Sequence, residues 1–282
     1  MKVDSAKIFI KICSLDDTEL VPTIYDALTK SDNPTNLHFG IYLHYKYGES
    51  YLDLQNNLPN FKKYGAKFNI VSVKYNKNLL GVGQARSIVD DMYQNEEYVL
   101  QIDSHSWFPV SWDSRLKELL GFHSSKTILT GYAAPYIYEG GVRVPIDLGK
   151  LLYKQYTTEK VINNWLYPQW ITCYPKSNEY FIDIDFCANF AFGSYEWGRY
   201  SGINKQSIFF SEEPIQTTNL KRKGFDLLYP NINEPLICHL YKNDIKEKGK
   251  RKDFTDYISE HESDYLLNIV DRNYYEEFFL LK

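Results

Sequence analysis

The sequence predicts an α/β protein: a mixed, mostly parallel, Rossmann-like sheet flanked by helices, with an irregular lobe laid over it. Three observations predict this. Apolar, β-branched runs alternate with amphipathic helical stretches as far as Gly131. The rhythm is lost over 132–180, a stretch dense in Tyr, Trp and Pro. Between these regions in character, Tyr98-Val99-Leu100-Gln101-Ile102 forms an apolar run that ends abruptly in Asp103-Ser104-His105. In open α/β sheets ligands sit at the carboxyl ends of the strands, which is where these polar groups fall.

In chain order, Lys7 to Cys13 reads as a strand and Thr18 to Lys30 as a helix with Leu20, Ile24 and Leu28 as its apolar stripe. Asp32-Asn33-Pro34 stops that helix. Leu37 to Tyr45 and Phe68 to Tyr75 are the next strands, and Gly81-Val82-Gly83-Gln84 leads into a helix carrying Ala85, Ile88, Val89 and Met92. After the strand at 98–102 come a helix from Trp112 to Phe122 and a strand from Lys126 to Gly131. The stretch 132–180, with Trp165 and Trp170, is expected to be irregular or mixed. Strand character returns from Asp183 to Gly193, with Asp183 and Asp185 alternating onto one face. Ser211 is a plausible N-cap for a helix whose first turn carries Glu212 and Glu213. Leu227-Leu228-Tyr229-Pro230 and Leu236-Ile237-Cys238-His239 are short strands, and a basic cluster at 246–252 precedes an aromatic, acidic tail.

Composition narrows the class. The 282 residues, 44% of them hydrophobic, suffice for a sizeable core, and a net charge of −4 does not describe a dedicated nucleic-acid binder. The first residues show no apolar signal region and no apolar run approaches 18 residues. The four cysteines, Cys13, Cys173, Cys187 and Cys238, form no Cys-x-x-Cys pair. Together these features lead us to expect a soluble, cytoplasmic protein with reduced thiols. The 25 tyrosines fit either sugar-stacking surfaces or simple base composition of the coding sequence.

Asp103 and His105 carry the first chemical signal. A carboxylate and an imidazole at i and i+2 point the same way while the backbone stays extended. A hard oxygen and a borderline nitrogen aimed at one point suit Mn²⁺, Mg²⁺ or Zn²⁺. The plainer alternative, a strand ending in an Asx-type turn with His105 packed or capping, is the better reading of the tripeptide alone. Gly81-x-Gly83 does not complete a dinucleotide fingerprint, because Arg86 stands where a third glycine belongs.

Taken in order, Gly81-x-Gly83-Gln84-Ala85-Arg86, Leu100-Gln101-Ile102-Asp103-Ser104-His105, Trp112-Asp113, Ser211-Glu212-Glu213 and His239-Leu240-Tyr241-Lys242 resemble one family. It is the soluble glycosyltransferase family typified by the enzyme that adds N-acetylglucosamine to hydroxyproline on a cytosolic ubiquitin-ligase adaptor. The opening Ser14-Leu15-Asp16-Asp17-Thr18 resembles that family's entry after its first strand, and the similarity runs from about Ile8 to Lys242, weakest in the middle lobe. The resemblance implies a GT-A fold, a uridine diphosphate (UDP) sugar donor, a divalent metal and retention of anomeric configuration. Polypeptide N-acetylgalactosaminyltransferases use a similar Asp-x-His.

Under that resemblance each piece acquires a role. A sugar nucleotide leaves as a diphosphate, whose developing charge a Mn²⁺ or Mg²⁺ ion compensates. Asp103, His105 and His239 are the expected metal ligands, although a lone His is more often a satisfied core or edge residue. Lys242 can reach the diphosphate as a point charge. Arg86 can meet the uridine or diphosphate, and Asp16 or Asp17 the nucleoside; a helix-entry loop and helix N-terminal charge are the alternatives. Glu213, with Glu212 close behind, is the carboxylate expected beside the sugar or the acceptor hydroxyl, against simple complementarity to the helix dipole. Asp183 and Asp185 are candidates for sugar hydroxyls, and Trp107, Trp165 and Trp170 for the acceptor cleft.

One domain, 1–282, is expected: a nucleotide-binding half at 1–131, an acceptor- and metal-completing half at 132–245 and a tail at 246–282. The function implied is metal-dependent transfer of N-acetylglucosamine from a UDP-sugar to a protein or glycan hydroxyl. A nucleotidyltransferase would need a Gly- and Lys-rich triphosphate loop after the first strand, and a zinc hydrolase a tighter cluster such as His-Glu-x-x-His. Neither pattern occurs. A non-catalytic carbohydrate-binding module would not need Asp103, His105 and His239 at a metal.

Overall fold

The computed structural model describes residues 5–74, 81–146, 151–162, 165–173, 181–207, 212–232 and 234–241. The chain begins β1 (Ile8–Leu15), α1 (Leu20–Lys30), β2 (Leu37–Tyr45), α2 (Glu49–Lys62), β3 (Lys67–Lys74) and α3 (Val82–Asp90). It continues through β4 (Tyr98–Asp103), β5 (Ser106–Trp107), α4 (Trp112–Leu120), β6 (Thr127–Thr130), β7 (Ala134–Glu139) and β8 (Val142–Pro145). Then follow β9 (Leu151–Ile162), β10 (Trp165–Cys173), β11 (Phe181–Asp183), β12 (Phe190–Ser194) and α5 (Tyr195–Tyr200). The last described elements are α6 (Glu212–Arg222), β13 (Asp226–Pro230) and β14 (Cys238–His239).

Eight strands make the main sheet, in the order β11-β13-β6-β12-β4-β1-β2-β3. The β4-β1-β2-β3 block is parallel, as is β13 with β6, whereas β12 and β11 pair antiparallel. The expected mixed, mostly parallel sheet is the observed one. Ile8, Ile10 and Ile12 of β1 pack on one face with Leu20, Ile24, Trp112 and Leu116 of α1 and α4. Phe9 of β1 and Val99 of β4 pack on the other with Ala85 and Val89 of α3 and with Trp197. Helices on both faces explain why β1 and β2 read as near-continuous apolar runs. Residues 8 to 13 of β1 lie beside 98 to 103 of β4, so Asp103 emerges level with Cys13 on the carboxyl edge.

Three departures from the sequence reading have physical causes. The helix α2 buries only Ser50, Leu54 and Phe61 and contains Pro59, so no apolar stripe announces it. The stretch 132–180, expected to be irregular or mixed, holds two antiparallel ribbons, β7 with β8 and β9 with β10. Its aromatic residues are strand formers, and the β9–β10 register shifts between Leu166 and Pro168, where a residue without an N–H is tolerated. The single strand expected over 183–193 is split into β11 and β12. Asp183 and Asp185 therefore do not alternate along one strand: Asp185 lies beyond β11 and accepts from Lys221 Nζ at 3.2 Å. Ser211 and the cluster at 246–252 lie outside the described residues.

A smaller sheet, in the order β5-β14-β7-β8, sits next to the end of β4. Among the described residues no helix is long and apolar enough to cross a membrane. Cys13, Cys187 and Cys238 form no disulfide, and burial pushes the Cys13 thiol up to about 12.

Candidate active site and metal centre

The site begins where β4 runs out of apolar residues. Past Asp103 the chain does not stay extended, so the i, i+2 geometry expected from the sequence is corrected: residues 104 and 105 form a bend. Side chains hold that bend. Ser106 Oγ donates to the Asp103 carbonyl at 2.9 Å. From α1, Thr23 Oγ1 donates to the Ser104 carbonyl at 2.8 Å and accepts the Ser106 N–H at 3.0 Å. The turn still aims His105 at the carboxylate, with Nε2 3.9 Å from Asp103 Oδ2.

His239 arrives through the small sheet. It lies opposite Ser106 in the β14–β5 pairing, and the Leu240 N–H donates to the His105 carbonyl at 3.0 Å. Its Nε2 is 3.0 Å from Asp103 Oδ2, and the His105 and His239 ring centroids are 4.5 Å apart. One ligand atom from each of Asp103, His105 and His239 falls within 4.8 Å of the others. Ligand atoms about 2.1 Å from one ion lie roughly 3 to 4.2 Å from each other, and the observed 3.0 and 3.9 Å separations fall in that window. The donor set, one carboxylate oxygen and two imidazole nitrogens, suits a borderline divalent cation.

Electrostatics prepare these groups as ligands. Burial, reinforced by the neighbouring His105, lowers the pKa of His239 and favours the neutral imidazole that a metal requires. Burial works against the charge of Asp103, but the His239 hydrogen bond, both imidazoles and Arg86 outweigh it. Its carboxyl is held well below the usual range. At 29% side-chain exposure Asp103 remains reachable from solvent.

Arg86, a candidate donor contact, is only 2% exposed and engaged with the protein. It donates from Nε to Glu212 Oε1 at 3.1 Å and from Nη2 to Asp103 Oδ1 at 3.3 Å, and it also bonds the carbonyls of Ile102 and Ala188. One buried guanidinium thus joins the end of β4 to the start of α6. Burial raises the pKa of Glu212, Arg86 lowers it and the charge of Asp103 raises it further. The α3 start that carries Arg86 is pinned by Gly83, whose N–H donates to the Ser207 carbonyl at 2.8 Å. A Cβ there would stand 2.0 Å from the Asn204 carbonyl oxygen, so the second glycine of Gly81-x-Gly83 serves close packing rather than phosphate approach.

The remaining candidates divide. Glu212 and Glu213 leave α6 in different directions, as adjacent helical residues do. Glu213 accepts from Tyr132 Oη at 2.7 Å and from the Ala188 N–H at 2.9 Å. Asp16, in the left-handed region with φ of 46°, accepts from the Lys46 and Tyr47 N–H groups and from Ser50 Oγ. Its carboxylate therefore braces the turn into α2. Trp107 lies under Lys30 Nζ at 4.2 Å from the ring centre. Lys242 lies outside the described residues, as do the side chains of Trp165, Trp170 and Asp183. Thr23 went unmarked in the sequence because a helix-face threonine has no local signature. Asp17, a candidate nucleoside contact or helix charge, lies with Oδ2 2.6 Å from His105 Nδ1.

A mostly parallel sheet with a carboxylate-histidine cluster at its carboxyl edge defines a GT-A type of protein, and comparison with known proteins agrees. Residues 59–270 match the family described as Glycosyltransferase (GlcNAc), and the chain belongs to that family. Two solved structures are similar in fold. One is described as GalNAc-T7 with UDP, GalNAc and Mn²⁺, at a TM-score of 0.59 and 14% identity, covering 84% of this chain and 44% of that one. The other is the mannosyltransferase PcManGT from Pyrobaculum calidifontis in complex with GDP-Man and Mn²⁺, at a TM-score of 0.52 and 9% identity, covering 98% of this chain and 68% of that one. The chain thus spans less than half the length of the GalNAc-T7 chain. Comparison with curated protein sequences gives no match.

Proposed function

We propose that this chain is a metal-dependent glycosyltransferase that moves N-acetylglucosamine from its uridine diphosphate to a hydroxyl group, with retention of configuration. One observation carries the reading: Asp103, His105 and His239, from segments 136 residues apart, converge at the carboxyl edge of a glycosyltransferase-family sheet. The Mn²⁺ complexes of the two similar structures support Mn²⁺, or Mg²⁺, as the ion. The family description supports N-acetylglucosamine as the sugar. Retention and a protein or glycan hydroxyl acceptor rest on the sequence resemblance, and a cytoplasmic setting on the composition of the chain. We take 1–282 as one domain, with 1–131 on the nucleotide side.

In this reading Asp103, His105 and His239 hold the cation, which supplies Lewis-acid compensation of charge on the departing diphosphate. Arg86 acts through Asp103, fixing Oδ1 so that Oδ2 faces the histidines. Glu213, half-buried at the start of α6, is assigned to the sugar or the acceptor hydroxyl, and Glu212 acts through Arg86. Asp16 serves the nucleotide side by shaping the loop before α2, and Lys242 is the assigned diphosphate cation.

The test is calorimetry of UDP against wild type and His239→Ala, each with Mn²⁺ or EDTA. The variant should bind UDP more weakly in Mn²⁺ and equally in EDTA. Its transfer rate should fall by about 10²–10³, the usual effect of removing one electrostatic stabiliser. Equal UDP affinity across all four combinations rejects the metal site and the transferase reading with it.

A further inference from the structure

The turn between β1 and α1 holds a carboxylate that the metal reading leaves unassigned. Asp17 is 6% exposed, and its oxygens are turned into the protein. Oδ1 accepts the Glu19 N–H at 3.0 Å, at the start of α1. Oδ2 accepts from Ser104 Oγ at 2.7 Å and lies 2.6 Å from His105 Nδ1. A nucleoside contact would need this carboxylate to leave these partners.

An ionised carboxylate only accepts hydrogen bonds, so the proton between Asp17 and His105 belongs to Nδ1. A neutral imidazole carries one N–H, which makes Nε2 the lone-pair nitrogen. Nε2 is the atom that faces Asp103 Oδ2. A carboxylate oxygen and an imidazole lone pair aimed at each other repel, and a cation between them turns that repulsion into two bonds. The middle residue of Asp103-Ser104-His105 joins the same carboxylate, so the turn and the ring orientation are fixed together.

We propose that Asp17 is a positioning residue that locks His105 in the Nδ1–H tautomer and so presents Nε2 to a divalent cation. The inference rests on the metal reading of Asp103, His105 and His239. Carboxylates that hold a metal-bound histidine in this way typically contribute about 10–100-fold in metal affinity.

The decisive variant is Asp17→Asn in the full chain. A carboxamide offers one acceptor oxygen, and the Glu19 N–H takes it. The amide NH₂ then faces His105, which must accept at Nδ1 and carry its proton on Nε2, the wrong atom for a metal. Mn²⁺ affinity, followed by electron paramagnetic resonance, should fall about 10–100-fold, while UDP affinity in EDTA stays the same. Imidazole ¹⁵N shifts of metal-free protein should report Nδ1–H in wild type and Nε2–H in the variant. A carboxylate that merely capped α1 would lower the melting temperature and leave both readouts in place. Mn²⁺ binding by Asp17→Asn equal to wild type overturns the inference. So does an Nε2–H tautomer in metal-free wild type, a measurement that needs no variant to fold. Failure of wild type itself to bind Mn²⁺ removes the metal reading, a different result from either.

Discussion

The two faces of the central strands solve the problem of burial in opposite ways. Toward α1 and α4, β1 and β4 present Ile8, Ile10, Ile12, Leu100 and Ile102, all fully buried and apolar. Toward α3, the apolar packing of Phe9, Val99, Ala85 and Val89 is interrupted by three buried cationic or basic groups, each matched to an acid. His38 Nδ1 is 2.5 Å from Glu96, Lys11 Nζ is 2.8 Å from Asp90, and Arg86 joins Glu212 and Asp103. An apolar face tolerates repacking, since methylenes are interchangeable to a first approximation. A face of paired charges does not, because removing one partner strands the other in a dry site. The site grows from the second face, where Asp103 keeps 29% of its side chain exposed.

The largest effect should come from Arg86→Met. It leaves the buried Glu212 and the end of Asp103 without their shared cation, and should cost about 3–5 kcal/mol in urea denaturation. Arg86→Lys should not rescue it, since a point charge cannot span four acceptors. Mn²⁺ affinity should fall in both; full metal affinity in either folded variant would make this face a scaffold with no bearing on the site. Next comes Leu100→Ala, three residues before Asp103 along β4 and on the apolar face. It should lose about 2–5 kcal/mol yet bind Mn²⁺ like wild type per folded molecule. If the metal site weakens too, the two faces are not independent.

The smallest effect concerns pH. Burial opposes the charge of Glu96, but the His38 hydrogen bond and backbone N–H donors prevail and hold its carboxyl below the ordinary 4.5. A carboxylate with a lowered folded pKa adds stability above the unfolded value and loses it as pH falls through the folded one. Glu96→Gln should therefore lower the melting temperature near neutrality and flatten its decline below about pH 4.5. Parallel curves for the two proteins would show that the pair is not what acid attacks on this face.

The contrast also explains what could be read from the residues. The near-continuous apolar run Ile8-Phe9-Ile10-Lys11-Ile12-Cys13 marks β1 because helices cover both faces of the sheet, and β2 is legible through Leu37 to Tyr45 for the same reason. The helix α2, with its thin apolar stripe and Pro59, is not. Asp103, His105 and His239 were legible as a set through an ordered resemblance, not through local pattern, since their meeting depends on β14 pairing with β5. Arg86 was legible by position only, near the start of a helix after two glycines; nothing local says that its guanidinium turns inward. Asp17 was invisible as a histidine partner because hydrogen bonds across 88 residues leave no trace in spacing.

The 136-residue gap between Asp103 and His239 has a meaning in time. At a synthesis rate of about 5–20 residues per second, His239 follows Asp103 out of the ribosome by roughly 7–27 s. For that interval the chain can present Asp103 and His105 but not His239. A nascent chain cannot complete the cluster before β14 has been made and has taken its place beside β5. An ion held by all three side chains therefore marks a chain whose distant halves have already met.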